Sequence, residues 1–184
     1  TDLIKEFNIK DVQKAGAIFD ISKLDWLNSQ HLANLTLNQF KKKLGPFLNK
    51  INIDMESHSN VDNLIEAMRT SSDTLSGIAQ SLIPYYQDIN EYDEKAIDKF
   101  ISDKNLLMQL RDLIDGINNW NLDSIESSLT NFQAENNLST PAVNQPIRIA
   151  LTGSTKSPGL GLTLTFFSKK TVLERMDKLL DKKS

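Results

Sequence analysis

Cysteine is absent from this chain of 184 residues. That excludes a disulfide scaffold and any thiolate-bound metal, and it suits a reducing compartment. The two histidines, His31 and His58, lie too far apart in sequence to suggest a local metal pair, and each reads as a surface or half-buried residue. No apolar run approaches the length of a membrane span, and the first residues lack the basic-then-apolar pattern of a secretion signal. Convincing period-two alternation is missing, so strands are not expected. No Gly-x-Ser-x-Gly elbow occurs. The pair Gly153 and Gly159 is not a phosphate-cradling loop, because the spacing is wrong and no Gly-Lys-Ser/Thr follows a strand. Carboxylates are plentiful but fall on helix surfaces, and no set of acid, base and nucleophile can be assembled from them. The first residue is Thr1 rather than methionine, as expected for a piece of a longer protein.

What is present is helical periodicity, repeated in about ten short segments without a fixed repeat, so neither a solenoid nor a coiled coil is indicated. Leu3, Ile4 and Phe7 suggest a short opening helix. Asp20 caps a helix with Leu24, Leu27 and His31 on one side and Trp26, read as a core residue, beside it. Thr36 caps another, which Pro46 should bend or restart near Gly45. Ser57 or Ser59 begins the next, and a helix from Asp73 to Ile83 is stopped by Pro84. Asp93 and Ser102 open two more, with Gly116 closing the second. Asn121 starts a helix through Glu135, with Trp120 before it as a core anchor. Thr140-Pro141 begins another, and segments from Pro158 to Phe167 and from Lys169 to Leu180, with Ser168 as cap between them, complete the chain. The polar segment Tyr86 to Asp93 is the best candidate hinge between two helical lobes.

The net charge of −3 argues against indiscriminate coating of nucleic acid. Its distribution says more. From Arg148 to Ser184 eight Lys or Arg face three acids, a balance of +5, which leaves −8 on the first 147 residues. A basic end on an acidic body can steer an anionic partner to one place; a lysine-rich solvated terminal helix gives the same pattern.

One stretch draws these features together: Gln145-Pro-Ile-Arg148-Ile-Ala-Leu-Thr152-Gly153-Ser-Thr-Lys156-Ser157-Pro158-Gly159-Leu160. It reads as a helix ending at a left-handed cap on Gly153, a tight loop, and a second helix with Ser157 as N-cap and Pro158 at its first position. Arg148 and Lys156 stand near amides that need partners, a place that suits an anion or an unstacked base. An ordinary helical corner, with Arg148 as a surface partner on its own helix, accounts for the same residues.

As a block, this stretch resembles the C-terminal signature of bacterial glutamyl-tRNA synthetases, approximately Q-P-L-R-x-A-L-T-G-x-x-x-x-P-G-L. A second block, Ile18-Phe19-Asp20-Ile-Ser-Lys23-Leu24-Asp25-Trp26-Leu27-Asn28, resembles that family's V-F-D-x-x-K-L-x-W-M-N-G. The weaker Met68-Arg69-Thr70-Ser71-Ser72-Asp73-Thr74-Leu75 lies between them, in the family's order.

The resemblance implies an all-α, two-lobed anticodon-binding module of about ten short helices. Residues 1–35 would be the tail of a stem-contact region, and 36–92 and 93–184 two helical anticodon-binding subdomains. It further implies a non-catalytic, monomeric, cytoplasmic fragment of a glutamate–tRNA ligase whose partner is the tRNA for glutamate. The class I nucleotide-binding signatures are missing here, so ATP and magnesium belong to a catalytic half that this chain lacks. By the same resemblance, Arg148, Ser157, Pro158 and Leu160 read the first anticodon bases, and Lys23 and Trp26 face the D-arm side of the tRNA. Ser71 stands where members strict for the glutamate tRNA carry an arginine that reads the last anticodon base, which leaves Arg69 as the other candidate for that contact. The missing arginine implies relaxed specificity, with the tRNA for glutamine accepted as well. A free-standing helical scaffold that binds a protein in an amphipathic groove is the rival reading.

Overall fold

The structure, a computed structural model, describes residue 5, residues 7 and 8, residue 16 and residues 20–182. Leu3 and Ile4 of the expected opening helix, and Ile18 and Phe19 of the first motif block, lie outside the described residues. Among those described there are ten α-helices, one short 3-10 turn and no strand. The helices are α1 (Ile21–Ala33), α2 (Leu37–Asn49), α3 (Val61–Met68), α4 (Leu75–Tyr86), α5 (Glu94–Phe100), α6 (Lys104–Gly116), α7 (Leu122–Glu135), α8 (Thr140–Thr152), α9 (Leu160–Thr165) and α10 (Lys169–Lys182).

Most helix starts follow from local chemistry. Asp20, Thr36, Asp93 and Asn121 each accept a backbone N–H from the first turn with their side chain. At Thr36 the cap is reciprocal, since Gln39 bonds back to the Thr36 amide. Ser168 accepts from the Thr171 amide and so begins α10 as expected.

Other boundaries differ from the expectations. Pro46 does not restart its helix: α2 runs through it to Asn49. Pro84 likewise lies inside α4, which ends two residues later at Tyr86. A proline deletes one hydrogen bond of the ladder, and a helix that is buried on both sides of the gap survives that loss. Leu44 and Leu48 flank Pro46, and Leu82 and Tyr85 flank Pro84, all buried. Neither Ser57 nor Ser59 opens α3; Ser57 ends the 3-10 turn, and Asn60 is the N-cap position. Thr74 caps α4, and Asp103 rather than Ser102 caps α6.

Helices α2, α3 and α4 pack on one another, while α5, α6, α7 and α10 gather around α8, with α9 against α7. The principal contact between the two sets is α4 against α8. Val143, Ile147, Ile149, Ala150 and Leu151 of α8 are all fully buried, which makes α8 the hub of a continuous apolar cluster extending from Leu32 to Leu179. Trp120 packs on this cluster and donates its indole N–H to Phe167 O at 2.9 Å. Trp26 does not: it is 58% exposed, with Ile21, Leu24 and Leu27 exposed on the same helix, so the expectation of a core tryptophan is corrected.

The guanidinium of Arg175 ties the two sets together. It donates to Pro84 O, Gln87 O and Leu151 O at 2.8, 2.9 and 2.6 Å and lies over the Phe167 ring. Carbonyls at the C-terminal ends of α4 and α8 thereby find a cationic donor. Lys178 adds a bond to Ile89 O, Lys182 pairs with Glu94, and Asp93 N–H donates to Gly153 O. Segment 86–93 is therefore fastened along much of its length. The same contacts account for much of the basic C-terminal end: Arg175, Lys178 and Lys182 hold structure, and Lys169 donates to Asp115 O and Ile117 O.

Candidate nucleic-acid interface

The loop between α8 and α9 is built from the inside. Gly153 takes φ +73° and caps α8, its amide donating to Ile149 O. A Cβ at this glycine would sit 2.6 Å from Glu91 O, so no larger residue fits. Thr152 Oγ1 donates back to Arg148 O and lies 3.2 Å from Ser154 O, which starts the turn.

Arg148 turns its side chain into this loop. Its Nε donates to Ser157 Oγ at 2.7 Å and its Nη2 to Pro158 O at 3.2 Å. Ser157 Oγ in turn donates to Pro158 O at 2.9 Å and meets Thr163 Oγ1 at 3.0 Å, and Thr163 is fully buried. Ser157 is therefore not the N-cap of α9; Gly159 occupies that position without a side-chain cap, and the helix begins at Leu160. The serine hydroxyl is occupied in receiving the guanidinium. Burial lowers the Arg148 pKa and pushes the nearby Tyr85 phenol up to about 12. Nη1 of Arg148 has no hydrogen-bond partner among the described residues. Leu160 is buried at 3% exposure, so its side chain packs inward and is not presented to a ligand.

Across from this loop stands the turn between α3 and α4. The two bound a cleft of about 430 Å³, with Thr70, Ser71 and Ser81 on one wall and Thr155, Lys156, Ser157 and Pro158 on the other. Ser71 and Ser157, distant in sequence, thus share one cavity. Lys156 is the charged side chain in the lining, and it is exposed. With no carboxylate among its lining residues, the cleft is suited to a neutral planar group attached to a phosphate.

The other expected contacts lie elsewhere. Arg69 does not line this cleft. Its Nη2 donates to Leu32 O, Ala33 O and Leu35 O, its Nη1 to Glu66, and the group covers the Phe40 ring. That makes it a clamp on the turn between α1 and α2, beside a separate cleft that it shares with Glu66 and Asp73. Lys23 and Trp26 are both exposed on α1 and line neither wall. Ser81, Thr155 and Thr163 carry no motif that marks them in the sequence; only the packing of α4 against the α8–α9 corner brings them into the site.

Compared with known proteins, residues 39–180 match the family described as the anticodon binding domain. The chain is 30% identical over 181 residues to a glutamate–tRNA ligase of Myxococcus xanthus, covering 97% of this chain and 38% of that protein. It is 30% identical over 185 residues to glutamate–tRNA ligase 2 of Thermosipho melanesiensis, covering 97% and 40%. A crystal structure of a glutamate tRNA ligase from Elizabethkingia meningosepticum in complex with its amino acid superposes with a TM-score of 0.78 at 23% identity, over 98% of this chain and 36% of that one. The chain therefore spans a little over a third of the length of these relatives. Among the described residues no helix is long and apolar enough to cross a membrane. With a match over most of its length and the same helical fold in its relatives, this chain belongs to the anticodon-binding domain family.

Proposed function

We propose that this chain is the tRNA-reading part of a glutamate–tRNA ligase, and that it grips unstacked anticodon bases in the cleft between Ser71 and the Ser157–Pro158 corner. The observation that carries the reading is this cleft itself: two sets of helices meet there, and its one lining charge is the cation of Lys156. Hydroxyls and backbone groups along both walls can bond base edges, and the lysine can meet a phosphate. Arg148, which does not itself line the cleft, acts by holding the Ser157–Pro158 corner in place. Ligation chemistry, with ATP and magnesium, belongs to the remainder of such a ligase, since neither nucleotide-binding signature of its class occurs in this chain. The setting is that of a monomeric cytoplasmic enzyme.

Titration of this chain with the tRNA for glutamate, and with the same tRNA lacking its anticodon loop, tests the reading. The intact tRNA should bind more tightly, and the affinity should fall as salt rises. Equal affinities overturn the reading and favour a protein-binding scaffold.

Relaxed specificity rests on Ser71, which replaces the arginine of strict members, and on Arg69, whose donors are engaged elsewhere. The ligase carrying this chain should charge the tRNAs for glutamate and glutamine at comparable rates. A preference of roughly a hundredfold or more for the glutamate tRNA exceeds what one lost base contact accounts for and overturns this part.

A further inference from the structure

The wall of the cleft that carries Ser71 ends in two hydroxyls whose hydrogens can be followed. Ser81 Oγ lies 2.8 Å from the carbonyl oxygen of Ile78 on its own helix. A carbonyl can only accept, so the Ser81 hydrogen points there. Ser71 Oγ lies 2.7 Å from Ser81 Oγ. With the single hydrogen of Ser81 already committed, Ser71 is the donor of that bond. The bonds form a one-way relay: Ser71 donates to Ser81, and Ser81 donates to the Ile78 carbonyl. What the exposed Ser71 oxygen turns to the cleft is therefore lone-pair density, with no hydrogen to give.

We propose that this relay makes Ser71 an acceptor-only reader, which selects a base edge that brings an amino group and disfavours one that brings a carbonyl. The inference rests on the proposed function, in that the cleft must receive an unstacked base. Cytosine and uracil form the sharpest pair, because they have one shape and differ by an amino group against a carbonyl at the same ring position. Guanine also carries an amino group on its pairing edge. The anticodons for glutamate and glutamine end in cytosine and guanine, so an acceptor at this wall tolerates both and disfavours uracil. Ser81 acts only through Ser71 and is a positioning residue; it fixes the direction of the neighbouring hydroxyl.

The test uses this chain and anticodon stem-loop RNAs in which each of the three anticodon positions in turn is cytosine or uracil. At one position cytosine should bind roughly tenfold more tightly than uracil, the scale of one hydrogen bond gained against one opposed. Ser81→Ala frees the Ser71 hydrogen to rotate toward the uracil carbonyl, and the preference at that position should fall below about threefold. Ser81→Thr restores a hydroxyl in reach of Ile78 O and should restore the preference, which a merely structural role for Ser81 does not require. Anticodon-dependent binding without a cytosine preference at any position overturns the relay and leaves the proposed function standing. A preference that Ser81→Ala leaves intact does the same. If no stem-loop binds better than a stem closed by an unrelated loop, the proposed function falls and the relay with it.

Discussion

Arg148 shows why a charge-conserving change is not a conservative one. Its Nε and Nη2 reach Ser157 and Pro158 O together, a fork that an ammonium cannot reproduce. Arg148→Lys should keep the net charge yet weaken tRNA binding by about tenfold, because one positioned bond is lost and the corner loosens. A titration at fixed salt measures this. Gly153 is constrained more severely. Alanine there must hold a left-handed φ and push its methyl into Glu91 O. Gly153→Ala should lower stability by about 2–4 kcal/mol, read from urea unfolding. Gly153 was legible in the sequence, since a glycine after a helical stripe and before a polar loop has few other uses. The Arg148–Ser157 bond was not. It joins residues on either side of a loop whose path depends on what packs beneath it, here the buried Thr163.

At the level of elements, periodicity and the caps at Asp20, Thr36, Asp93, Asn121 and Ser168 are readable in the sequence. Those expected at Ser57 or Ser59, Ser102 and Ser157 are not, and proline is a poor guide to where a helix stops. A capping side chain bonds an amide two or three residues away, so its geometry is fixed before any tertiary contact forms. Thr36 is an example: with its reciprocal bond to Gln39, Thr36→Ala should cost about 1 kcal/mol in thermal or urea unfolding. Whether a proline ends a helix is decided by what lies beyond it. Pro46 and Pro84 each precede residues that the core requires to remain helical, Leu48 after the first and Tyr85 after the second. Helix α1 shows a further limit. Its spacing puts Leu24 and Leu27 on one side with Trp26 read as core, yet Leu24, Leu27 and Trp26 face outward among the described residues, because periodicity reports an apolar face and not what covers it.

For the whole molecule, charge placement matters more than the total. The basic excess after Arg148 resembled a patch for an anionic partner, but Arg175, Lys169, Lys178 and Lys182 are held by carbonyls or carboxylates. The distances that decide this span tens of residues in sequence, out of reach of any local pattern. Lys156, at the cleft, is the cation that the proposed function sets against a phosphate. Lys156→Ala should weaken binding to all tRNAs alike and reduce the slope of log affinity against log salt by about one unit. Arg175→Ala leaves three inward carbonyls without their donor. It should lower stability by about 2–4 kcal/mol and speed amide exchange over 86–93, with binding reduced as the walls of the cleft part. Calorimetric unfolding and hydrogen exchange measure both effects.

The bonds that hold residues 86–93 to α10 and to Gly153 have a mechanical consequence. They make the connecting segment a strut, bonded at Gln87, Ile89 and Asp93, which resists a change in the spacing of the two walls. On the proposed function, the deformation needed for a fit comes from the RNA, whose loop unwinds to the gauge the protein presents.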